Sequence, residues 1–204
     1  MFVLGLTGSI GMGKSTTAEI FRAEGIAVHD SDATVHALYR GAAAPLIEAA
    51  FPGTVRDGVV DRSALAVKVL DNPDAMRRLE AIVHPLVRAS RMAFIEEARA
   101  RGDRLVVVDI PLLYETGAEA EVDAVLLVTA PETVQKQRIA ARPGMTASKL
   151  AAIMAKQMPD EEKRRRADFI IDTSAGHADA ERQVRDVLGK ILAGAAAVRP
   201  QDQN

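Results

Sequence analysis

Short apolar runs alternate along this chain with longer stretches in which apolar residues recur every three or four positions. The runs at residues 2–6, 26–29, 105–109, 124–129 and 169–172 are β-branched or leucine-rich and too short for buried helices, so they predict strands covered on both faces. Helical patterns fill the intervals. Residues 15–22 follow the first strand as a helix, and Thr129-Ala130-Pro131-Glu132 combines a candidate N-cap with an early proline and an acid, predicting a helix to Arg142. Leu86, Val87, Met92, Phe94 and Ile95 mark a long packed helix that His84-Pro85 opens and Gly102 stops. Asp71-Asn72-Pro73-Asp74 separates two helical stretches in the same way. Strands alternating with helices predict an α/β fold with a parallel sheet of about five strands flanked by helices.

The spacing between strands is uneven. From Asp32 to about Ala100 the pattern is helical, interrupted by the turn-like Pro52-Gly53-Thr54-Val55-Arg56-Asp57-Gly58. A simple crossover needs far fewer residues, so residues 33–101 are read as a helical insertion that holds a second substrate. A second excess, residues 142–167, begins with Pro143-Gly144 and carries a helix at about 146–157, which suggests a hinged lid. The stretch 195–204 is small, polar and proline-interrupted, and is expected to be disordered.

Composition narrows the class. At 204 residues with 48% hydrophobic and 26% charged, the chain suits a single compact enzyme domain. A formal net charge of −2 gives no global basic field, so no nucleic-acid partner is expected. Lys163-Arg164-Arg165-Arg166 is a local exception, read as a solvated helix face or a collector of phosphate charge. The absence of cysteine rules out disulfides, thiol nucleophiles and Cys-based zinc sites. No membrane-spanning or cleavable leader pattern is present, and a cytoplasmic enzyme without an obligate protein partner is expected.

The chemistry begins after the first strand. Gly8-Ser9-Ile10-Gly11-Met12-Gly13-Lys14-Ser15 fits the phosphate-binding pattern G-x-x-x-x-G-K-[ST] between a strand and a helix, the setting that motif requires. Gly8, Gly11 and Gly13 let the backbone curl around an anion, and the helix start adds N–H donors. Only the backbone N–H of Met12 is needed there. Lys14 would neutralise the β- and γ-phosphates of a nucleotide such as ATP, Ser15 would ligate Mg²⁺, and Thr16 could donate to the α-phosphate.

Other candidates follow from position. Asp109 ends a buried run at the strand edge where ligands bind, and is read as a support for Mg²⁺ or its waters against the alternative of a solvent-facing terminator. In an extended segment Asp30 and Asp32 would project to one side. Asp32 is read as the base that accepts a hydroxyl proton, with Asp30 in support, against the alternative of helix capping by Asp32. Arg138 and Arg142 share a helix face and could clamp phosphate oxygens beside the lid. His84 alone is as easily a cap or packed residue as a functional one. A regulatory GTPase fits poorly: the Asn-Lys-x-Asp segment that reads guanine is absent, and Asp109 is followed by Ile110-Pro111-Leu112 instead of a switch glycine.

Over almost its whole length the chain resembles the dephospho-coenzyme A kinases. The likeness rests on Gly5 to Ser15, Asp30-Ser31-Asp32 with His36, Ile82-Val83-His84-Pro85, Asp109-Ile110-Pro111-Leu112-Leu113-Tyr114-Glu115, Gln137-Arg138, Arg142, Gln157 and Ala167-Asp168-Phe169. The conjunction of Asp-x-Asp, His-Pro and Asp-Ile-Pro-Leu-Leu-x-Glu in that order is far more specific than the phosphate loop alone. The resemblance implies a P-loop kinase fold and ATP-dependent phosphorylation of the ribose 3′-hydroxyl of dephospho-coenzyme A. Carried over, Asp32 matches the base, Lys14 and Arg138 the phosphate stabilisers, Arg142 the lid arginine, and His84 the acceptor region. One departure stands after the last strand, where Asp172-Thr173-Ser174-Ala175-Gly176 replaces the asparagine and small-residue turn common in the family. Another nucleoside or metabolite kinase is the remaining enzyme alternative.

Overall fold

The computed structural model describes residues 1–70 and 72–194; the expected disordered tail, 195–204, lies outside the described residues. The chain divides into two compact units, Met1–His29 with the chain from Ala98 onward, and Asp30–Glu97.

The first unit is built on five strands, β1 (Phe2–Thr7), β2 (Ala27–Asp30), β5 (Leu105–Asp109), β6 (Ala124–Thr129) and β7 (Phe169–Asp172), in the order β2-β5-β1-β6-β7. β1 pairs in parallel with β5 and β6, and β6 with β7. The five expected strands are all present, with shifts of one residue at the first two. Strands β5 and β6 are buried at every position, which is why they read as continuous apolar runs rather than alternating ones. Two helices, α1 (Lys14–Ala23) and α9 (His177–Leu192), pack on this sheet through Ile20, Phe21, Val184, Leu188 and Ile191 around Leu4, Leu6, Leu126 and Ile171. Burying each such side chain is worth about 1.5–3 kcal/mol. Between β6 and β7 lie α6 (Glu132–Ala140), α7 (Ala147–Met154) and α8 (Asp160–Arg166). The expected N-cap Thr129 is instead the last residue of β6, and Pro131 takes the cap position. The expected lid segment thus holds two short helices, because Pro159 breaks the pattern and starts α8.

The second unit is helical: α2 (Ser31–Leu38), α3 (Ala43–Ala50), α4 (Arg62–Val69) and most of α5 (Pro73–Arg101). Its core gathers Ile47, Phe51, Val60, Leu65, Leu79 and Val83. Two expectations are corrected here. The turn-like stretch forms an antiparallel ribbon, β3 (Val55–Arg56) with β4 (Val59–Val60), closed by Asp57 and Gly58 at φ 50° and 76°. Both positive values suit a two-residue hairpin turn with Asp-Gly. Glu48 binds this ribbon by accepting from the N–H groups of Gly53, Thr54 and Val55, and the Gly53 contact above all holds its carboxyl below the usual range. The long helix also begins at Pro73, capped by the side chain of Asn72 on Ala75 N–H, and runs straight through His84-Pro85. Pro85 removes the hydrogen bond to the Ala81 carbonyl, but both residues are exposed, so water can take its place.

Candidate active site

The phosphate loop joins β1 to α1 at the carboxyl end of the sheet. Because β1 is flanked by β5 on one side and β6 on the other, its end is the crevice where open sheets of this kind bind ligands. The loop is closed from within: Met12 N–H donates to Ser9 O at 3.1 Å, and Thr17 N–H starts the helix on Gly13 O. The Met12 N–H thus closes the turn of the loop. Gly13 caps α1 at φ 94°, a left-handed conformation that also leaves room for Thr173, whose hydroxyl would lie 2.9 Å from an added Cβ. A Cβ at Gly8 would stand 2.7 Å from the Val128 carbonyl. The first turn of α1 contains no acid, and Ser15 and Thr16 are exposed there. Its opening N–H groups lack intrahelical partners and face no competing carboxylate on their own helix.

Asp109 pairs in register with Leu6, so β5 delivers its carboxylate to the edge where the loop begins. It is 4% exposed and forms an ion pair with Lys14. The alternative of a solvent-facing strand terminator is thereby excluded. Among the described residues no group of three or more His, Asp or Glu side chains could hold a metal. One buried carboxylate and one exposed hydroxyl are hard oxygen donors that fit a Mg²⁺ completed by nucleotide oxygens and water, as that ion prefers.

Arg138, on α6, reaches the same loop. Its Nη1 donates to Thr173 Oγ1 and its Nη2 to the Thr173 carbonyl, each at 2.7 Å. Arg142 lies beyond the end of α6 and is exposed. Gln135, unmarked in the sequence, donates from Nε2 to Ile10 O at 2.7 Å, and Gln157 Oε1 accepts from Ile10 N–H at 3.2 Å.

The basic run on α8 is a solvated face at Arg164, Arg165 and Arg166, which are exposed, but not at Lys163. Lys163 is fully buried, paired with Glu115 Oε1 at 2.9 Å and 3.4 Å from Ser9 Oγ. Glu115 Oε1 also accepts from Met158 N–H at 2.8 Å. Arg164 binds Asp160 and Thr129, and Arg166 pairs with Glu119 and stacks over the Tyr114 ring. The two partners of Lys163, Glu115 and Ser9, are both distant from it in sequence, so no local pattern announces the burial. Lys163→Met is expected to destabilise the fold by about 3–5 kcal/mol, because Glu115 stays behind with its cation removed. Denaturant unfolding checks this, and the double change with Glu115→Gln should recover part of the loss.

Asp30, Asp32 and His84 belong to the helical unit. β2 ends at Asp30 and α2 begins at Ser31, so Asp30 and Asp32 do not share an extended segment, and the expectation that they project to one side is corrected. Asp30 is the N-cap, its Oδ1 accepting from Ala33 N–H at 2.9 Å, while Asp32 stands exposed in the first turn. The capping alternative therefore belongs to Asp30. His36 lies 3.3 Å from the Arg62 guanidinium, and His84 is exposed inside α5. Neither helix start nor core packing accounts for His84.

A sequence model of dephospho-CoA kinase matches residues 2–179. The chain belongs to the dephospho-CoA kinase family. It is 61% identical over 191 residues to a dephospho-CoA kinase of Mesorhizobium japonicum, covering 94% of this chain and 97% of that protein. Its fold is similar to a solved dephospho-CoA kinase from Campylobacter jejuni, with TM-score 0.72 and 28% identity over 95% of this chain and 98% of the other. A shikimate kinase from Acinetobacter baumannii, solved with shikimate, shares the fold at TM-score 0.52 and 19% identity over 97% and 96% of the two chains. The family match spans the phosphate loop, the helical unit and β7, so every candidate residue named above lies inside it.

Proposed function

We infer that this chain is a kinase that phosphorylates dephospho-CoA with ATP, producing coenzyme A and ADP, with the ribose 3′-hydroxyl as acceptor. The family match over residues 2–179 carries this reading. The phosphate loop supports it chemically, since loop N–H groups, the start of α1 and Lys14 are the parts that hold a triphosphate. No helix of the described residues is long and apolar enough to cross a membrane, and the cytoplasm is the proposed place of action.

Phosphoryl transfer needs alignment and charge neutralisation more than covalent help from the protein. Lys14 takes the β- and γ-phosphates, exchanging part of its interaction with Asp109 for the incoming anion. Thr16 donates to the α-phosphate. Ser15 and Asp109 are the residues that would hold Mg²⁺, which when bound offsets negative charge on the phosphate oxygens. Arg138, fixed at Thr173, and Arg142, at the entrance to the lid segment, add cationic donors as charge shifts towards the leaving oxygen. Asp32 accepts the proton of the attacking hydroxyl, while Asp30 and His84 contribute to acceptor binding. Closure of the segment 142–167 excludes water and limits wasteful ATP hydrolysis.

The test is a coupled assay for ADP together with detection of coenzyme A, using Mg²⁺-ATP and dephospho-CoA, with AMP, other nucleosides and no acceptor run in parallel. Product with dephospho-CoA alone is expected. Turnover with a different acceptor would retain a kinase and discard this substrate, and inactivity with every acceptor would reject the kinase reading.

A further inference from the structure

Two short hydrogen bonds hold the Arg138 guanidinium. Thr173, the first residue after β7 and 6% exposed, accepts Nη1 on its hydroxyl and Nη2 on its carbonyl. Arginine has no acceptor, and a hydroxyl has one proton, so the direction of the network is determined: the Thr173 proton must go elsewhere. It goes to the Met12 carbonyl in the phosphate loop at 2.8 Å, in preference to the Thr129 carbonyl at 3.4 Å. Arg138 Nη1 also lies 3.5 Å from Gly11 O.

Thr173 itself has little freedom. Its N–H donates to Thr129 O at 2.9 Å, which extends the β6–β7 pairing by one residue, and its side chain packs at the Cβ-less face of Gly13. The sheet thus fixes Thr173, and Thr173 fixes both the Met12 peptide and the plane of the guanidinium. A two-point grip of this kind on Nη1 and Nη2 orients an arginine far better than a single contact. Arg138 and the loop are carried by separate elements, α6 and the β1–α1 connection; Gln135 ties the same two elements through Ile10 O, but Thr173 is the residue that touches both the guanidinium and the Met12 peptide.

We propose that Thr173 is a positioning residue for phosphoryl transfer, setting the Arg138 guanidinium relative to the phosphate loop through its hydroxyl. The proposal rests on the kinase reading and on the role of Arg138 in it. Valine keeps the shape of threonine and removes the hydroxyl; serine keeps the hydroxyl. Thr173→Val is therefore expected to lower kcat by about 10- to 100-fold, the scale for a misplaced catalytic group, with a smaller change in KM for ATP. Thr173→Ser should restore kcat to within about threefold of wild type, because it retains the same donor and acceptor.

The deciding comparison is the double-mutant cycle with Arg138→Ala. If Thr173 acts through the arginine, Thr173→Val adds less than about twofold to the loss already caused by Arg138→Ala. Losses that multiply, or a Thr173→Val enzyme with wild-type kcat, would overturn the proposal. Purely structural damage would instead lower the ATP-binding stoichiometry in titration calorimetry and persist in the Arg138→Ala background, which also counts against it. Should Thr173→Val not fold, Thr173→Ala removes the same hydroxyl without the added branch and enters the cycle in its place. A wild-type protein inactive on dephospho-CoA would reject the kinase reading and this proposal with it, whereas an active wild type with multiplying losses would reject this proposal alone.

Discussion

Asp32→Asn is expected to lower kcat by about a hundredfold or more while ATP binding changes little, the pattern of a lost acid–base group. Asparagine preserves the size of the side chain and removes its basicity. The structure makes this a clean substitution, because the cap of α2 is provided by Asp30 and its contact with Ala33 N–H. Asp32 is exposed in the first turn, so the change costs the fold only the favourable interaction of an acid with the helix start, about 0.3–1 kcal/mol. Single-turnover kinetics with saturating dephospho-CoA, alongside calorimetric titration with ATP, separate the two effects. Turnover retained near the wild-type rate would remove Asp32 from the mechanism.

Lys14→Met has two expected consequences, and the structure separates them. Catalysis should fall by about a hundred- to a thousandfold, as for loss of one donor aimed at developing charge, and ATP should bind more weakly. Stability should also fall, on the order of a few kcal/mol, because Lys14 is the ion-pair partner of a carboxylate that is 4% exposed. Lys14→Met combined with Asp109→Asn should recover stability in thermal unfolding without recovering turnover. Unchanged kcat in a folded Lys14→Met protein would break the link between the phosphate loop and the reaction.

The parts of this molecule legible beforehand are those encoded in consecutive residues. The loop from Gly8 to Ser15 needs only glycines and a lysine at given spacings, and the apolar runs of β5 and β6 announce burial on both faces within five or six positions. The two-residue strands β3 and β4 carry no periodicity to detect, although Asp57-Gly58 was a usable turn signal. The continuation of α5 through Pro85 was hidden because proline usually stops a helix, and it is tolerated here only where the lost hydrogen bond faces solvent.

The site follows the same division. The loop that follows β1 and the buried place of Asp109 at the end of β5 could be read from strand ends and a motif. The assignment of the cap to Asp30 depended on where β2 stops, a matter of one residue that sheet pairing sets and propensity does not. Gln135 carried no local signal, and Gln157 and Thr173 were marked only by comparison with the family pattern, which said nothing of the contacts they make. Lys163 stood in a basic run, the pattern of a solvated surface, yet it is fully buried beside Glu115.

Local order thus settles the type of the five sheet strands, most of the helices and the glycine-rich motif, because backbone preference, periodicity and close-range spacing are written in neighbouring residues; family membership is read from motifs spread along the whole chain. The grip of Thr173 on Arg138 joins positions 35 apart, and the approach of Lys163 to Ser9 spans 154. Such pairs depend on which faces the sheet order brings together, and their strength comes from burial that no single segment possesses until the whole unit is packed.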